Sequence, residues 1–156
     1  MSHNISGVVS AGRFCGLAEY DTAAHELRGG YKLIFMDHHY TEYWAKKLSI
    51  AGSLELPASM DPILLPYDRV IAELLKRTTH TPRFAIVWTE YFGGVGDQRA
   101  AAYEGEVLLE CDGTINSALR QLGASRGEHR DEFDALGLQH IRGNPDAVTQ
   151  AWTKYP

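Results

Sequence analysis

The residues best placed to do chemistry lie between positions 90 and 98, where a β-rich segment ends in three closely spaced glycines. Glycine-rich turns expose backbone N–H groups that can bind a phosphate. Known phosphate-binding turns lead from a strand into a helix, whereas Asp97 here precedes a second apolar segment and would repel an anion. The pattern therefore predicts a shaped hairpin connection that forms part of a recognition surface. Its candidate binding residues are Glu90, Tyr91, Phe92, Gly93, Gly94, Gly96, Asp97 and Gln98.

These glycines are expected to make contacts that a Cβ atom would forbid, with Glu90 held beside them. A carboxylate among aromatic residues is also a candidate general acid or base. Together with Glu132 or Asp134 it would form the carboxylate pair used in glycoside hydrolysis. The simpler interpretation is that Glu90 binds nearby N–H groups or Arg99.

Asp37, His38 and His39 provide imidazole and carboxylate groups, which are ordinary ligands of zinc and iron. Adjacent residues on an extended segment point to opposite sides, and no His-x-x-x-His or Cys-x-x-Cys element completes a site. We therefore predict no metal and no cofactor, and keep these three residues as a weak alternative metal site. Cys15 and Cys111 are too few for a disulfide framework and indicate reduced thiols.

The composition is that of a folded protein, with 156 residues, 44% hydrophobic residues and 22% charged residues. We expect one domain over residues 1–156. The sequence has neither a signal-peptide pattern nor an apolar run of bilayer length, which predicts a cytoplasmic protein without membrane contact. A net charge of −5 argues against nucleic-acid binding and is compatible with a basic protein partner.

The elements that must position these residues follow from hydrophobic periodicity and turn signals. Strands are predicted at residues 5–10, 31–36, 84–91 and 98–109, with Gly105 able to divide the last one. Helices are predicted at residues 21–27, 41–48, 67–76, 114–123 and 131–138, and residues 51–66 form a long connection.

This order of elements predicts an α+β fold, a single-domain sandwich with a mixed sheet of about four strands and helices mainly on one face. The tail, with its aromatic residues Trp152 and Tyr155, can either dock or fray. The expected core residues are Val8, Ile34, Trp44, Ile71, Leu74, Ile86, Trp88, Leu119 and Leu122.

Residues 5–9, 90–101, 115–119 and 131–138 together resemble a family of small bacterial proteins of unknown function. The most specific parts are YFGGVGDQ at residues 91–98 and DEFDALGL at residues 131–138. The resemblance implies no established activity and hence no catalytic residue. In size, acidity and cytosolic character the chain is also similar to the immunity proteins of bacterial toxin systems.

The leading interpretation is a cytoplasmic protein-binding module, with neutralisation of a bacterial toxin as the suggested role. Its recognition surface would combine the hairpin with the acidic segment at residues 128–134, which includes Glu132 and Asp134. A basic protein such as a toxin is the expected partner, and a homo-oligomer is compatible with the sequence.

The alternative interpretation is a small enzyme or ligand-binding domain. In that case the loop at residues 93–96 would contact the ligand, and Glu90, Asp97 or the pair His38 and His39 would transfer protons or bind a metal. Such a site needs a concave pocket where these residues converge.

Overall fold

The computed structural model describes residues 3–50, 66–92, 95–109 and 112–155. Within that part of the chain, six strands form one open sheet in the order β2-β3-β1-β4-β5-β6, and every neighbouring pair is antiparallel. The strands are β1 (His3–Ser10), β2 (Ala24–Glu26), β3 (Lys32–Phe35), β4 (Arg83–Phe92), β5 (Val95–Glu104) and β6 (Val107–Leu109).

In the described part of the chain, helices lie between and after the strands. The α-helices are α1 (His38–Lys47), α2 (Asp68–Thr78), α3 (Ile115–Gln121), α4 (Glu132–Leu136) and α5 (Asp146–Ala151). Short 3₁₀ turns occur at Leu17–Tyr20, Arg28–Gly30, Leu138–His140 and Trp152–Lys154. In the described segments, no helix combines the length and the apolar character required to cross a bilayer.

Helices cover both faces of the sheet. Side chains alternate between faces along a strand, so Tyr103 and Gln98 of β5, five positions apart in a continuous register, project to opposite sides. The Tyr103 hydroxyl donates to the Asp68 carboxylate of α2 at 2.9 Å. The Gln98 side chain accepts from the backbone nitrogen of Ile115, the first residue of α3, at 3.0 Å. Helix α2 therefore lies on one face and α3 on the other.

The α+β class is confirmed, but the finer architecture predicted from the sequence is wrong. The structure has one open sheet rather than a sandwich, six strands rather than about four, and antiparallel rather than mixed pairing. The prediction of helices mainly on one face is also wrong. The two additional strands, β2 and β6, have three residues each and lie at the edges of the sheet, where such short segments carry little periodicity.

Residues 21–27 were expected to form a helix, yet they contribute the edge strand β2. Asp21 adopts a left-handed conformation with φ 58°, which no residue inside an α-helix adopts. Gly29 and Gly30 also have positive φ values, and they reverse the chain so that β2 pairs with β3. Sheet pairing prevails because an isolated seven-residue helix is marginal in water.

The central strands and the larger helices match the predictions to within a few residues, and Gly105, with φ 61°, divides β5 from β6. Eight of the nine expected core residues are buried in one continuous cluster, and the ninth, Leu122, is half-buried against it. Helix α1 begins three residues earlier than expected because Asp37 caps it. Residues 51–65, most of the predicted long connection, lie outside the described part.

The aromatic tail docks on the fold. The Trp152 indole donates to the backbone oxygen of Asp21 at 2.8 Å, and the Tyr155 hydroxyl donates to the Asp21 carboxylate at 2.7 Å. The Tyr155 ring stacks on Tyr43 of α1 with a centroid separation of 3.9 Å. Neither partner is close to the tail in sequence, so no local pattern indicated the docking.

Candidate functional site

A cavity of about 390 Å³ lies at the hairpin end of strands β4 and β5, between the sheet and helices α3 and α4. We call it the hairpin cavity. It brings Tyr91 and Gln98 of the predicted hairpin together with Asp131 and Phe133 of the C-terminal motif at residues 131–138. The wall residues that matter below are Tyr91, Gln98, Asn116, Phe133, Gln139 and Arg142.

Gln98 fixes the sheet side of the hairpin cavity. Its Nε2 atom donates to the Tyr91 hydroxyl at 3.1 Å, and its Oε1 atom accepts from the backbone nitrogen of Ile115 at 3.0 Å. The nitrogens in the first turn of a helix have no partner within the helix, so the Gln98 side chain satisfies one of them. One amide thus connects β4, β5 and α3 and holds Tyr91 in the wall.

His3 forms part of the buried floor. Its Nε2 atom lies 3.0 Å from the carbonyl oxygen of Leu138, and its Nδ1 atom lies 2.7 Å from the Thr89 hydroxyl. Because a carbonyl oxygen can only accept, Nε2 carries a proton and donates to Leu138. The Thr89 hydroxyl contacts both the Nδ1 atom and, at 3.4 Å, the backbone oxygen of His3. The imidazole also packs against the Phe133 ring at 5.4 Å. With both nitrogens engaged, His3 positions the wall and is not available as a free base.

Asn116 connects the two helices that form the opposite wall. Its Oδ1 atom accepts from the backbone nitrogen of Phe133 at 2.9 Å, and its Nδ2 atom donates to Asp131 at 3.4 Å. Asp131 in turn caps α4 by accepting from the backbone nitrogen of Asp134 at 2.8 Å. The capped helix presents Phe133 to the cavity, so this wall is also preorganised.

Gln139 contributes an unmatched polar atom to the same wall. Its Oε1 atom is buried and has no hydrogen-bond donor among the described residues. A buried acceptor without a donor destabilises a protein by about 1–3 kcal/mol, and native structures contain few of them. Because the oxygen itself is buried, a bound group with an N–H or O–H donor would satisfy it only if the Gln139 side chain turned toward the cavity.

The strand register divides the predicted hairpin residues between the two faces of the sheet. Tyr91 and Gln98 line the hairpin cavity, so their neighbours Glu90 and Asp97 project to the opposite face. Glu90 is exposed, so its aromatic neighbours do not bury it as a general acid or base of this kind would require. The side chain that pairs with Asp97 is that of Arg99. None of the four cavities described is lined by Glu90 or Asp97.

The acidic residues of α4 are bound within the fold rather than presented to solvent. Glu132 is 6% exposed and accepts from Arg120 at 3.3 Å. Asp134 lies 3.3 Å from Arg130. Because α4 packs on the face opposite to Glu90, the suggested carboxylate pair between Glu90 and either acidic residue of α4 does not form.

The prediction that a Cβ atom would be forbidden is confirmed at Gly96. A Cβ atom added there would lie 2.6 Å from the Cα atom of Tyr91, its partner across the hairpin, and would clash with the backbone of Glu90. Phe92 is the last residue of β4, and the hairpin itself is confirmed by its pairing with Val95. Gly93 and Gly94 lie outside the described residues.

The three residues of the alternative metal site have separate structural roles. Asp37 accepts from the backbone nitrogen of Tyr40 at 2.7 Å as the cap of α1. His38 packs on Tyr67 and lies 3.6 Å from Glu42. His39 faces Tyr155. Across the described ranges, no group of three His, Cys, Asp or Glu residues is arranged to hold a metal ion.

The fold and the cavity define an α+β protein with an antiparallel sheet, covered on both faces, and a preorganised polar pocket at one end. Comparisons with family models, with curated proteins and with solved structures find no match to this chain.

Reasoning from the sequence found Tyr91 and Gln98 but missed the other side of the cavity. Asn116 lies in residues 115–119, one of the segments that resemble the small bacterial family. An asparagine by itself, however, does not indicate a functional role. No sequence pattern predicted that His3, Gln139 and Arg142 belong to the site, because they approach the hairpin only through tertiary packing.

Proposed function

We propose that this chain is a protein-binding module and that the hairpin cavity is where it recognises its partner. The observation that carries the proposal is the buried, unmatched Oε1 atom of Gln139 in a wall whose other amides, Gln98 and Asn116, are fully engaged. A donor on the partner would satisfy this oxygen once the Gln139 side chain turns toward the cavity. The rest of the wall is already held in place, so little conformational freedom is lost on binding, which favours affinity.

Binding is favoured over catalysis by the way in which the polar groups of the cavity are used. Gln98, Asn116 and His3 all hold secondary-structure elements in place. Arg130 is paired with Asp134, and Asp131 caps α4. These groups shape a pocket and leave the described wall without the free nucleophile–base pair that covalent catalysis requires.

Membership of the small bacterial family and neutralisation of a toxin are part of this proposal. The first rests on the resemblance in residues 91–98 and 131–138, and the second on the size and acidity of the chain. The hairpin cavity adds a physical basis to the family resemblance, because both segments contribute residues to its lining. In this proposal the two motifs form parts of one recognition site.

Gln139→Leu provides the sharpest test, because it replaces the unmatched amide with an apolar group of similar size. Removal of a buried oxygen without a partner is expected to leave the free energy of unfolding unchanged or to raise it by about 1 kcal/mol. Partner binding is expected to fall by about tenfold or more because the acceptor is lost. A variant that is stable but does not bind separates recognition from folding.

The measurement is quantitative mass spectrometry of proteins captured from a lysate of the source organism, followed by titration of the purified partner. The matched control is Gln150→Leu, an identical change at an exposed position outside the four cavities. The proposal requires a protein that is captured by the wild type and the control but lost with Gln139→Leu. Equal capture by all three chains would overturn it.

A further inference from the structure

A second cavity, of about 660 Å³, lies beside the first, and His140 and Arg142 line both. We call it the edge cavity because strand β2, at the edge of the sheet, forms one wall. Its lining includes Glu26, Leu27, Arg28, Phe35, Leu136 and Arg142. The two cavities are therefore neighbours, separated by at most the shared residues His140 and Arg142.

The charged groups of the edge cavity are mainly cationic. Arg28 and Arg142 are exposed, and neither guanidinium forms an ion pair with any residue in the described ranges. The single carboxylate among the lining residues belongs to Glu26, which lies 3.9 Å from the Lys32 ammonium group. Two uncompensated guanidinium groups therefore face one cavity.

The floor of the edge cavity is apolar. Leu27, Phe35 and Leu136 are each less than 10% exposed and line the cavity between its charged walls. An apolar side chain in contact with this floor would lose water-exposed surface, which is favourable at about 25 cal/mol per Å². The cavity thus combines an apolar contact with cationic groups.

We propose that the edge cavity binds an acidic peptide segment of the protein partner. Carboxylates of that segment pair with the guanidinium groups of Arg28 and Arg142, and a neighbouring apolar side chain packs on the floor. The guanidinium fork matches carboxylate geometry and is more weakly hydrated than an ammonium group. This inference rests on the proposed function and names the chemistry of its partner.

The net charge of −5 favours a basic partner for the molecule as a whole. The arginines of the edge cavity instead favour an acidic segment. The charges close to the cavity determine which segment binds there, because exposed charges are largely screened beyond a Debye length of about 8 Å at physiological ionic strength. A segment inside the cavity meets Arg28 and Arg142 at close range. The acidic groups of α4 are already paired with Arg120 and Arg130.

The test uses three blocked pentapeptides that share a central leucine. The four residues that flank the leucine are all glutamate in the first peptide, all glutamine in the second and all lysine in the third. Titration of each peptide into the full chain is followed by the shifts of backbone amide resonances. The glutamate peptide is expected to bind about tenfold more tightly than the glutamine peptide, as for hydrogen bonds with a charged partner. Its shifts should cluster at residues 25–28 and 140–143, and added salt should weaken its binding.

Arg28→Gln/Arg142→Gln should remove this preference for glutamate. The matched control, Arg13→Gln/Arg126→Gln, makes the same change in charge at two exposed arginines outside the four cavities and should retain it. Arg28→Glu/Arg142→Glu should instead favour the lysine peptide. All these positions are exposed, so unchanged melting temperatures will show that the fold is intact.

The inference is overturned if the glutamate peptide binds no more tightly than the glutamine peptide, or if the lysine peptide binds the wild type most tightly. The latter result would favour a basic partner and leave the proposed function standing. The proposed function has a separate test. It is overturned if no protein captured by the wild type is lost with Gln139→Leu, whatever the peptide titrations show.

Discussion

The side-chain oxygen of Asn116 accepts a hydrogen bond from the backbone nitrogen of Phe133 at 2.9 Å and so fastens α3 to α4. Gln98 makes the equivalent link between the sheet and α3, through the backbone nitrogen of Ile115 at 3.0 Å. The hairpin cavity is therefore held by two side-chain amides, each of which satisfies a backbone nitrogen near the start of a helix. This arrangement lets short helices present a rigid wall.

Asn116→Ala removes the link between α3 and α4. We expect the free energy of unfolding to fall by about 1–2 kcal/mol, because the Phe133 nitrogen loses its acceptor. Urea unfolding monitored by circular dichroism gives this value. Asn4→Ala, the same change at an exposed position, should shift it by less than about 0.5 kcal/mol. Equal effects of the two changes would show that Asn116 does not hold the wall.

Gly96→Ala places a Cβ atom against the backbone of its partner strand, 2.6 Å from the Tyr91 Cα atom. Because a backbone cannot move aside as a side chain can, we expect destabilisation by about 1–3 kcal/mol, as in overpacked cores. Amide exchange near Tyr91 should accelerate as the hairpin end opens. In contrast, Gly127→Asn adds a side chain in open space at φ 53°, which asparagine tolerates, and should have a smaller effect.

Tyr103→Phe tests the buried contact between the sheet and α2. The Tyr103 hydroxyl donates to the Asp68 carboxylate at 2.9 Å, and both residues are 0% exposed. Loss of a hydrogen bond to a charged group should destabilise the protein by about 1.5–3 kcal/mol. Tyr31→Phe removes a hydroxyl that donates to a neutral carbonyl, that of Leu122, and should lose about 0.5–1.5 kcal/mol. Chemical denaturation of the two variants under identical conditions compares them directly.

The docked tail should make stability sensitive to alkaline pH. Burial, followed by the hydrogen bond to Asp21, raises the pKa of the Tyr155 hydroxyl, and burial also raises the pKa of Tyr40. The folded state therefore holds these protons more tightly than the unfolded state. The resulting stabilisation is complete below about pH 10, the ordinary tyrosine pKa, and is lost as the pH rises above it.

The measurement is the free energy of unfolding between about pH 9 and about pH 11, which brackets that ordinary pKa. Tyr155→Phe should lose stability less steeply than the wild type over this range, because one of the titrating hydroxyls has been removed. Parallel slopes for the two proteins would show that Tyr155 does not contribute to the alkaline loss.

The sequence by itself determined the α+β class, the long central strands, the larger helices and nearly all of the core. These features follow from local periodicity, as the burial of Ile71 and Ile86 illustrates. It also indicated the β4–β5 hairpin and the tight backbone contact at Gly96. Both depend on residues that are close together in the chain, so local chemistry was sufficient.

Only the tertiary structure decided where the site lies. Strand alternation placed Tyr91 and Gln98 in the cavity and Glu90 on the opposite face, although the three are close in sequence. Gln139 reaches the same cavity from a 3₁₀ turn after α4, and Asn116 from α3. The acidic residues of α4, Glu132 and Asp134, likewise pair with Arg120 and Arg130 and so do not form the free acidic surface that the sequence indicated. Each of these outcomes depends on contacts between distant segments, which local propensity does not encode.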